Sequence, residues 1–264
     1  MNSVGEPRPQ HPDEETVHPA VQSQQRRGQL SFVRRTSRLS PSQERAWESA
    51  HENYVIEPPR FDGVTSVDPT WTLDPQETFG RTAPFVVEVG TGRGDNIAAA
   101  AAQHPDTDFL GIEVYVPGIA STIMRAQQHA ELAGLTRLNN LRMIEANAPE
   151  VLTSALPESS IDELWVFFPD PWPKAKHHKR RIVAPPFVNA VARSLKPGGL
   201  WRLATDWPEY AEQMLDVLDT SKDFINVCGL GGVAPRFDGR VLTRFEERGL
   251  AEGRPATDLT YRRQ

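Results

Sequence analysis

The most constraining feature of the chain is the junction at residues 85–102. Five strand-forming residues, Phe85-Val86-Val87-Glu88-Val89, run into Gly90-Thr91-Gly92-Arg93-Gly94 and then into an alanine-rich stretch from Ile97 to Ala102. An apolar run bounded by glycines reads as a strand buried on both faces, and a strand passing straight into a helix opens a parallel crossover. Pro105 ends that helix and the alternation repeats. Phe109 to Val114 reads as a second strand, Ile119 to Ala133 as a helix stopped by Gly134, Leu141 to Ala146 as a third strand, and Ile161 to Phe168 as the fourth and most hydrophobic. A helix around Phe187 to Leu195 leads through the turn Lys196-Pro197-Gly198-Gly199 into a fifth strand, Leu200 to Ala204. A helix from Tyr210 to Leu218, a strand near Phe224 to Cys228 and a polar strand near Thr257 to Arg262 complete the series. Strands alternating with helices in this way predict an α/β protein whose parallel sheet is covered on both faces.

The flanks and the charge distribution narrow the class. No apolar run approaches the ~18 residues that cross a bilayer, and the opening residues lack the basic-then-apolar pattern of a secretory leader. Cys228 is the only cysteine, which excludes an internal disulfide and a cysteine-rich zinc site. A cytoplasmic protein without a membrane anchor is expected. Residues 1–30 carry Pro7, Pro9, Pro12 and Pro19 among Gln, Glu, Ser and Arg with almost nothing to bury, and are expected to be a disordered tail. One domain is expected over 31–264, opened by a basic segment at 31–60. Within it Ser40 is placed to cap a helix, Pro41 suits the first helical position, and Gln43 closes a capping box. The net charge of −6 argues weakly against a polyanionic partner, but Arg26, Arg27, Arg34, Arg35, Arg38 and Arg45 face one acid, Glu44, so the distribution outweighs the sum. A solvated basic tail is the alternative.

The turn Gly90 to Gly94 lies where doubly wound sheets bind nucleotides, at the carboxyl end of a strand. A dinucleotide fingerprint requires a third glycine at position 95, and Asp95 stands there, so the pyrophosphate cradle of a nicotinamide dehydrogenase is not matched. Glu113 ends the second strand 21 residues beyond Gly92, near the ~20 spacing at which an acid meets a ribose diol. Asn147, past the third strand, is placed for an adenine edge or a neighbouring backbone group. Taken alone, the glycines fit an ordinary tight turn. With Glu88, Glu113 and Asn147 and no phosphate motif they favour S-adenosylmethionine, whose sulfonium cation suits acidic groups that would repel a pyrophosphate.

The fourth strand ends in Phe167-Phe168-Pro169-Asp170-Pro171-Trp172-Pro173, and three prolines around one aspartate make a stiff turn that presents Asp170 at a central strand end. Lys174-Ala175-Lys176-His177-His178-Lys179-Arg180-Arg181 follows, with five lysines or arginines and two histidines in eight residues. Such a run beside Trp172 is what a phosphate-binding rim next to a base-stacking site requires; a solvated loop is the alternative. No third ligand sits at a metal-site spacing from His177 and His178, and no metal is expected. Thr205-Asp206-Trp207 adds an acid at the same sheet edge, and Thr243-Arg244-Phe245-Glu246-Glu247-Arg248-Gly249 precedes the last strand. Alone, either segment reads as a cap or a surface loop.

Together these motifs resemble the bacterial tRNA (guanine-N7-)-methyltransferase family of the class I S-adenosylmethionine-dependent fold. The resemblance runs over residues 31 to 264 through Ser31-Phe32-Val33-Arg34-Arg35, Glu88 to Gly94, Gly111-Ile112-Glu113, Phe167 to Trp172 with Lys174 to Arg181, Thr205-Asp206-Trp207 and Thr243 to Gly249. The glycine turn is generic to the fold, whereas the Phe-Phe-Pro-Asp-Pro-Trp turn with its basic run is specific. The resemblance implies a Rossmann-like, mostly parallel seven-stranded sheet with helices on both faces and an antiparallel last strand. It implies that Glu88, Gly90, Gly92, Glu113, Asn147 and Asp170 hold S-adenosylmethionine, that Asp170 is the active-site acid, and that Lys174, Asp206, Thr243, Arg244, Phe245 and Glu246 hold tRNA, the target being guanine 46 of the variable loop. Asn147 departs from the aspartate of some members, losing a charge and keeping an acceptor. The sequence leaves open how Asp170, Asp206 and Glu246 divide their roles, and it shows no obligate protein partner. Another methyl acceptor, or a non-catalytic RNA-binding protein with a degenerate domain, are the rival readings.

Overall fold

Eight strands form one sheet in the computed structural model, which describes residues 38–264. In chain order they are β1 (Val55–Ile56), β2 (Phe85–Val89), β3 (Asp108–Glu113), β4 (Leu141–Glu145), β5 (Ile161–Phe167), β6 (Leu195–Thr205), β7 (Phe224–Asn226) and β8 (Thr257–Arg263). Across the sheet the order is β1-β4-β3-β2-β5-β6-β8-β7. β8 runs antiparallel to both β6 and β7, and every other pairing is parallel. The seven strands expected from sequence are present. The eighth, β1, is two residues paired as Val55 with Met143 and Ile56 with Ile144, too short to carry a periodic signal. The expected turn at Lys196–Gly199 is an irregularity inside β6: Leu195 pairs with Ile161, the register shifts, and Leu200 pairs with Glu163. The expected tail at 1–30, together with Arg34 and Arg35, lies outside the described residues.

The helices are α1 (Pro41–Tyr54), α2 (Pro75–Phe79), α3 (Asp95–Gln103), α4 (Val116–Leu132), α5 (Pro185–Ser194), α6 (Pro208–Asp219) and α7 (Arg244–Ala251). A short helical segment, Ala148–Glu150 continued by Val151–Ala155, follows β4. One face of the sheet packs against α1, α3 and α4 through Ala50, Tyr54, Ile97, Ala101, Ile119 and Ile123; the other packs against α5, α6 and the short segment through Phe187, Val191, Tyr210, Met214 and Leu152. All five residues of β2 are buried, as its unbroken apolar run predicts.

Chain order explains where a ligand site forms. From β2 the chain steps outward to β3 and β4, then returns across β2 to β5 on its other side. The carboxyl ends of β2 and β5 therefore flank the point at which winding reverses, where no crossover covers the crevice. The glycine turn leaves β2 there and the Pro-Asp-Pro turn leaves β5 there.

α1 begins as its sequence demands. Gln43 N–H donates to Ser40 Oγ at 3.4 Å, and Ser40 N–H donates to Gln43 Oε1 at 2.8 Å. The Gln43 amide nitrogen also donates to Pro117 O at 2.8 Å and Ser121 Oγ at 3.0 Å, fastening α1 onto α4. α4 in turn approaches the glycine turn so closely that a Cβ on Gly118 would stand 2.3 Å from Gly92 O. Gly118→Ala is therefore expected to cost ~1–3 kcal/mol, the usual penalty of overpacking, read as a lower urea midpoint with unchanged slope.

Candidate functional site

The glycine turn is shaped from both sides. Gly90 N–H donates to Ile112 O at 2.8 Å, which extends the β2–β3 pairing past the last strand residue. Gly90, Gly92 and Gly94 all have positive φ, at 75°, 58° and 74°. At Gly94 the requirement is also spatial, because a Cβ would meet Thr122 of α4 at 2.1 Å. Glu113, at the end of β3, then binds the turn: Oε2 accepts Gly92 N–H at 2.7 Å, while Oε1 accepts Val114 N–H at 2.8 Å and Tyr115 N–H at 3.1 Å. Its carboxylate thus holds three backbone donors in place.

Glu88 and Asn147 lie beside it and are buried. Asn96, in the first turn of α3, donates its amide to Glu88 Oε2 at 3.4 Å and accepts Val241 N–H on Oδ1 at 3.1 Å. Ala146 N–H donates to Glu113 O at 3.1 Å, which sets Asn147 next to the end of β3. Asn147 N–H donates to Thr65 O at 2.8 Å and its side-chain amide donates to Glu150 Oε1 at 3.0 Å; Glu150 Oε2 accepts Val67 N–H at 2.9 Å. The strap at 65–67 is thereby fixed to the end of β4.

Asp170 is exposed on its turn. Besides the prolines, two non-glycine residues with positive φ flank it, Phe168 at 52° and Trp172 at 44°, a conformation that persists only when surroundings over-determine it. They do. Phe168 N–H donates to Ala204 O at 2.7 Å, its ring packs 5.3 Å from Phe245, and the Arg240 guanidinium lies 5.1 Å above it. Arg181 donates to Pro171 O at 2.8 Å and Gln213 Oε1 at 2.6 Å and lies 4.9 Å over the Tyr210 ring. The basic run therefore divides. Lys174, Lys176 and Lys179 are exposed and Arg180 stacks 5.0 Å over Trp172, whereas Arg181 is buried beneath the turn and cannot belong to the rim expected from sequence.

The remaining expected residues cluster on the same side. Asp206 is buried and accepts from Arg254 at 3.1 Å. Thr243 caps α7, its hydroxyl accepting Glu246 N–H at 3.2 Å, and Arg244 and Phe245 are exposed. Glu246 is buried, with Arg240 donating to Oε2 at 2.6 Å and Arg236 at 3.3 Å; Arg240 also donates to Asp258 at 2.8 Å. Among the described residues no three His, Cys, Asp or Glu side chains converge as a metal shell, and no helix is long and apolar enough to cross a membrane.

Comparison with known proteins decides the family. Residues 82–259 match the family model described as "Putative methyltransferase". The tRNA (guanine-N(7)-)-methyltransferase of Cutibacterium acnes is 48% identical over 90% of this chain and 84% of its own, that of Alkalilimnicola ehrlichii 44% over 89% and 92%, and that of Paenarthrobacter aurescens 43% over 89% and 91%. The chain belongs to the tRNA (guanine-N(7)-)-methyltransferase family.

In this methyltransferase the electrostatics of the crevice follow from burial. Glu88 is pushed up to about 8 mainly by desolvation, opposed by the Asn96 hydrogen bond and reinforced by the charges of Glu113 and Asp95. Glu113 is raised by burial, opposed by its three backbone donors and reinforced by Asp170. Four acids thus act on one another at the crevice, although Asp95 is partly compensated by Arg125 at 2.5 Å. Sequence reasoning missed Asn96, Arg240, Arg254 and the inward role of Arg181. Asn96 meets Val241 145 residues away and Arg254 meets Asp206 48 residues away, where no local spacing reports them; Arg240 and Arg181 bind nearer partners, Glu246 and Pro171, at spacings that mark no motif.

A carboxyl whose pKa is raised on folding contributes stability below its unfolded value that is lost as pH rises toward the folded one. Between pH 4.5 and about 8 the buried Glu88 therefore becomes progressively destabilising in the unliganded protein. Glu88→Gln is expected to exceed the wild type in stability by more than ~1 kcal/mol at pH 9, the gap closing toward pH 4.5. Urea unfolding of both proteins across this range measures it.

Proposed function

We propose that the protein transfers a methyl group from S-adenosylmethionine to nitrogen 7 of a guanine in tRNA, guanine 46 of the variable loop. One juxtaposition carries this reading: an acid-lined glycine turn and a rigid aspartate meet at the switch point of the sheet, and an exposed cationic run begins four residues beyond that aspartate. The first part suits a cationic nucleoside and disfavours a pyrophosphate; the second suits a polyanion.

The residues fit the donor. Glu88, Glu113, Asn147 and the backbone of Gly90 and Gly92 would hold it, with the fixed Glu113 carboxylate keeping the turn open and the acids favouring positive charge. When bound, S-adenosylmethionine supplies a methyl carbon activated by a sulfonium leaving group. On the acceptor side, nitrogen 7 of guanine carries an in-plane lone pair and no proton, so the site needs no general base. It needs alignment and stabilisation of the positive charge that the methylated purine acquires. Asp170 is suited to that task because its backbone is immobile and its side chain exposed at the crevice. Phe245, packed against Phe168, offers a stacking surface beside it. Glu246 serves differently: buried between Arg236 and Arg240, it fixes the first turn of α7 so that Thr243, Arg244 and Phe245 face the RNA. Asp206 supports the same helix through Arg254 and by packing near Gly249. This reading places the enzyme in the cytoplasm with its substrate.

Mass spectrometry of unmodified tRNA incubated with the protein and S-adenosylmethionine is expected to find 7-methylguanosine in the variable loop; methylation of another base or none would refute the assignment. Asp170→Ala is expected to leave tRNA affinity within a few-fold and to lower turnover by the ~2.7–4 kcal/mol typical of a lost electrostatic contact. Weakened binding with normal turnover on saturating tRNA would refute that role. Affinity for tRNA should fall steeply with salt, and Lys174→Ala should reduce the log–log slope by about 1, whereas a flat salt dependence would remove the basic run from the interface.

A further inference from the structure

The segment that carries the RNA-facing residues touches the cofactor floor at one polar side chain, Asn96. Its amide nitrogen donates to Glu88, the acid at the end of β2, and its amide oxygen accepts the N–H of Val241. Because a carboxylate and a backbone N–H can be satisfied only by opposite ends of an amide, these two partners together fix the side chain's orientation. Asn96 is 5% exposed. Val241 directly follows Arg240, the buried arginine that binds both Glu246 and Asp258 and lies over the Phe167 and Phe168 rings at the root of the Asp170 turn. One path therefore runs from Glu88 by hydrogen bonds through Asn96 to Val241, along the chain to Arg240, and from there by ion pairs to α7 and by ring contacts to the root of the Asp170 turn.

We propose that Asn96 is a positioning residue that couples the two substrates, so that occupancy of the Glu88 side of the crevice strengthens tRNA binding on the α7 side. The inference rests on the function proposed above. A cationic ligand beside Glu88 favours the ionised carboxylate, and a hydrogen bond to an ionised acceptor is shorter and stronger than one to a neutral carboxyl. The Asn96 amide is then held more firmly with its oxygen toward Val241, and the segment from Arg236 to Glu246 gains order where tRNA must meet Arg244 and Phe245. Coupling of this kind is reciprocal: tRNA must tighten the nucleoside by the same factor.

The test uses the full chain, tRNA, and sinefungin, a non-reactive analogue that carries a protonated amine where S-adenosylmethionine has its methylsulfonium and so keeps the positive charge. In the wild type, the tRNA dissociation constant is expected to fall about 5-fold or more when sinefungin is saturating, at the lower end of usual coupling factors. In Asn96→Ala the ratio is expected to approach 1 while each ligand still binds alone. A purely structural role would weaken both affinities and leave the ratio unchanged, and that result overturns the proposal, as does a wild-type ratio of 1. If the alanine variant does not fold, Asn96→Leu, of similar volume and without hydrogen bonds, is measured in its place with the same two outcomes. Failure of the underlying function is separately visible: the wild type would then bind no sinefungin or no tRNA.

Discussion

The functional end of the sheet depends on one carboxylate. Glu113 occupies the last position of β3 and spends both oxygens on backbone N–H groups, from Gly92 across the crevice and from Val114 and Tyr115 on its own strand exit. Without it the glycine turn would keep its left-handed residues and lose the contact that aligns it with β3. The cost is evident in its chemistry: burial raises its pKa, and three backbone donors are what compensate for placing it there. An acid in this position shapes the turn before any ligand arrives, and in the proposed function the same acid would also meet the ribose.

A second device orders the other wall. Arg240 is 2% exposed and lies between Glu246 and Asp258, with Arg236 at the rim. A buried ion cluster is poor evidence for stability, because desolvation offsets much of the attraction, yet removing one member strands the others. Its value is geometric. It ties α7 to β8 and sets Arg240 over the aromatic pair that ends β5, so the same guanidinium supports α7 and the Asp170 turn. The strained Phe168 and Trp172 are held by this support from above and by Arg181 from below.

What the sequence revealed and what it hid divide along a physical line. The strand–glycine–helix junction, the capping box at Ser40 and the stiff Pro-Asp-Pro turn are local: their dihedral and periodicity signals reside in contiguous residues, and each is present in the structure. Strand ends are also local, which is why Glu88, Glu113 and Asn147 were legible as crevice residues. β1 was invisible because two residues have no period, and its pairing with β4 depends on α1 delivering it to the sheet edge. The basic run was legible as charge but not as direction; a count of cations cannot show that Arg181 turns inward to Pro171 while Lys174 and Lys176 stay in solvent. Asn96 and Arg240 each join a nearby acid, Glu88 or Glu246, to a partner that the tertiary fold brings in, Val241 or Asp258, and no motif marks that combination.

The charge arrangement resolves the apparent conflict between a net charge of −6 and a polyanionic substrate. Glu88 and Glu113 are buried inside the crevice, Asp206 against Arg254, and Glu246 and Asp258 against Arg240, while many other acids, Glu48, Asp62, Glu131 and Glu212 among them, are spread over the surface. Exposed lysines follow the Asp170 turn without such partners at 174 and 176. At physiological salt the Debye length is about 8 Å, so a phosphate at that rim responds to the nearest cations and hardly to acids elsewhere on the surface. Exposed cations at 174, 176 and 179 thus stand at one end of the sheet, and buried acids line the crevice beside them. Asp170 belongs to both: its charge acts on Glu113 and the lysines begin four residues beyond it, which is where the proposed function puts the positive charge that develops on a purine.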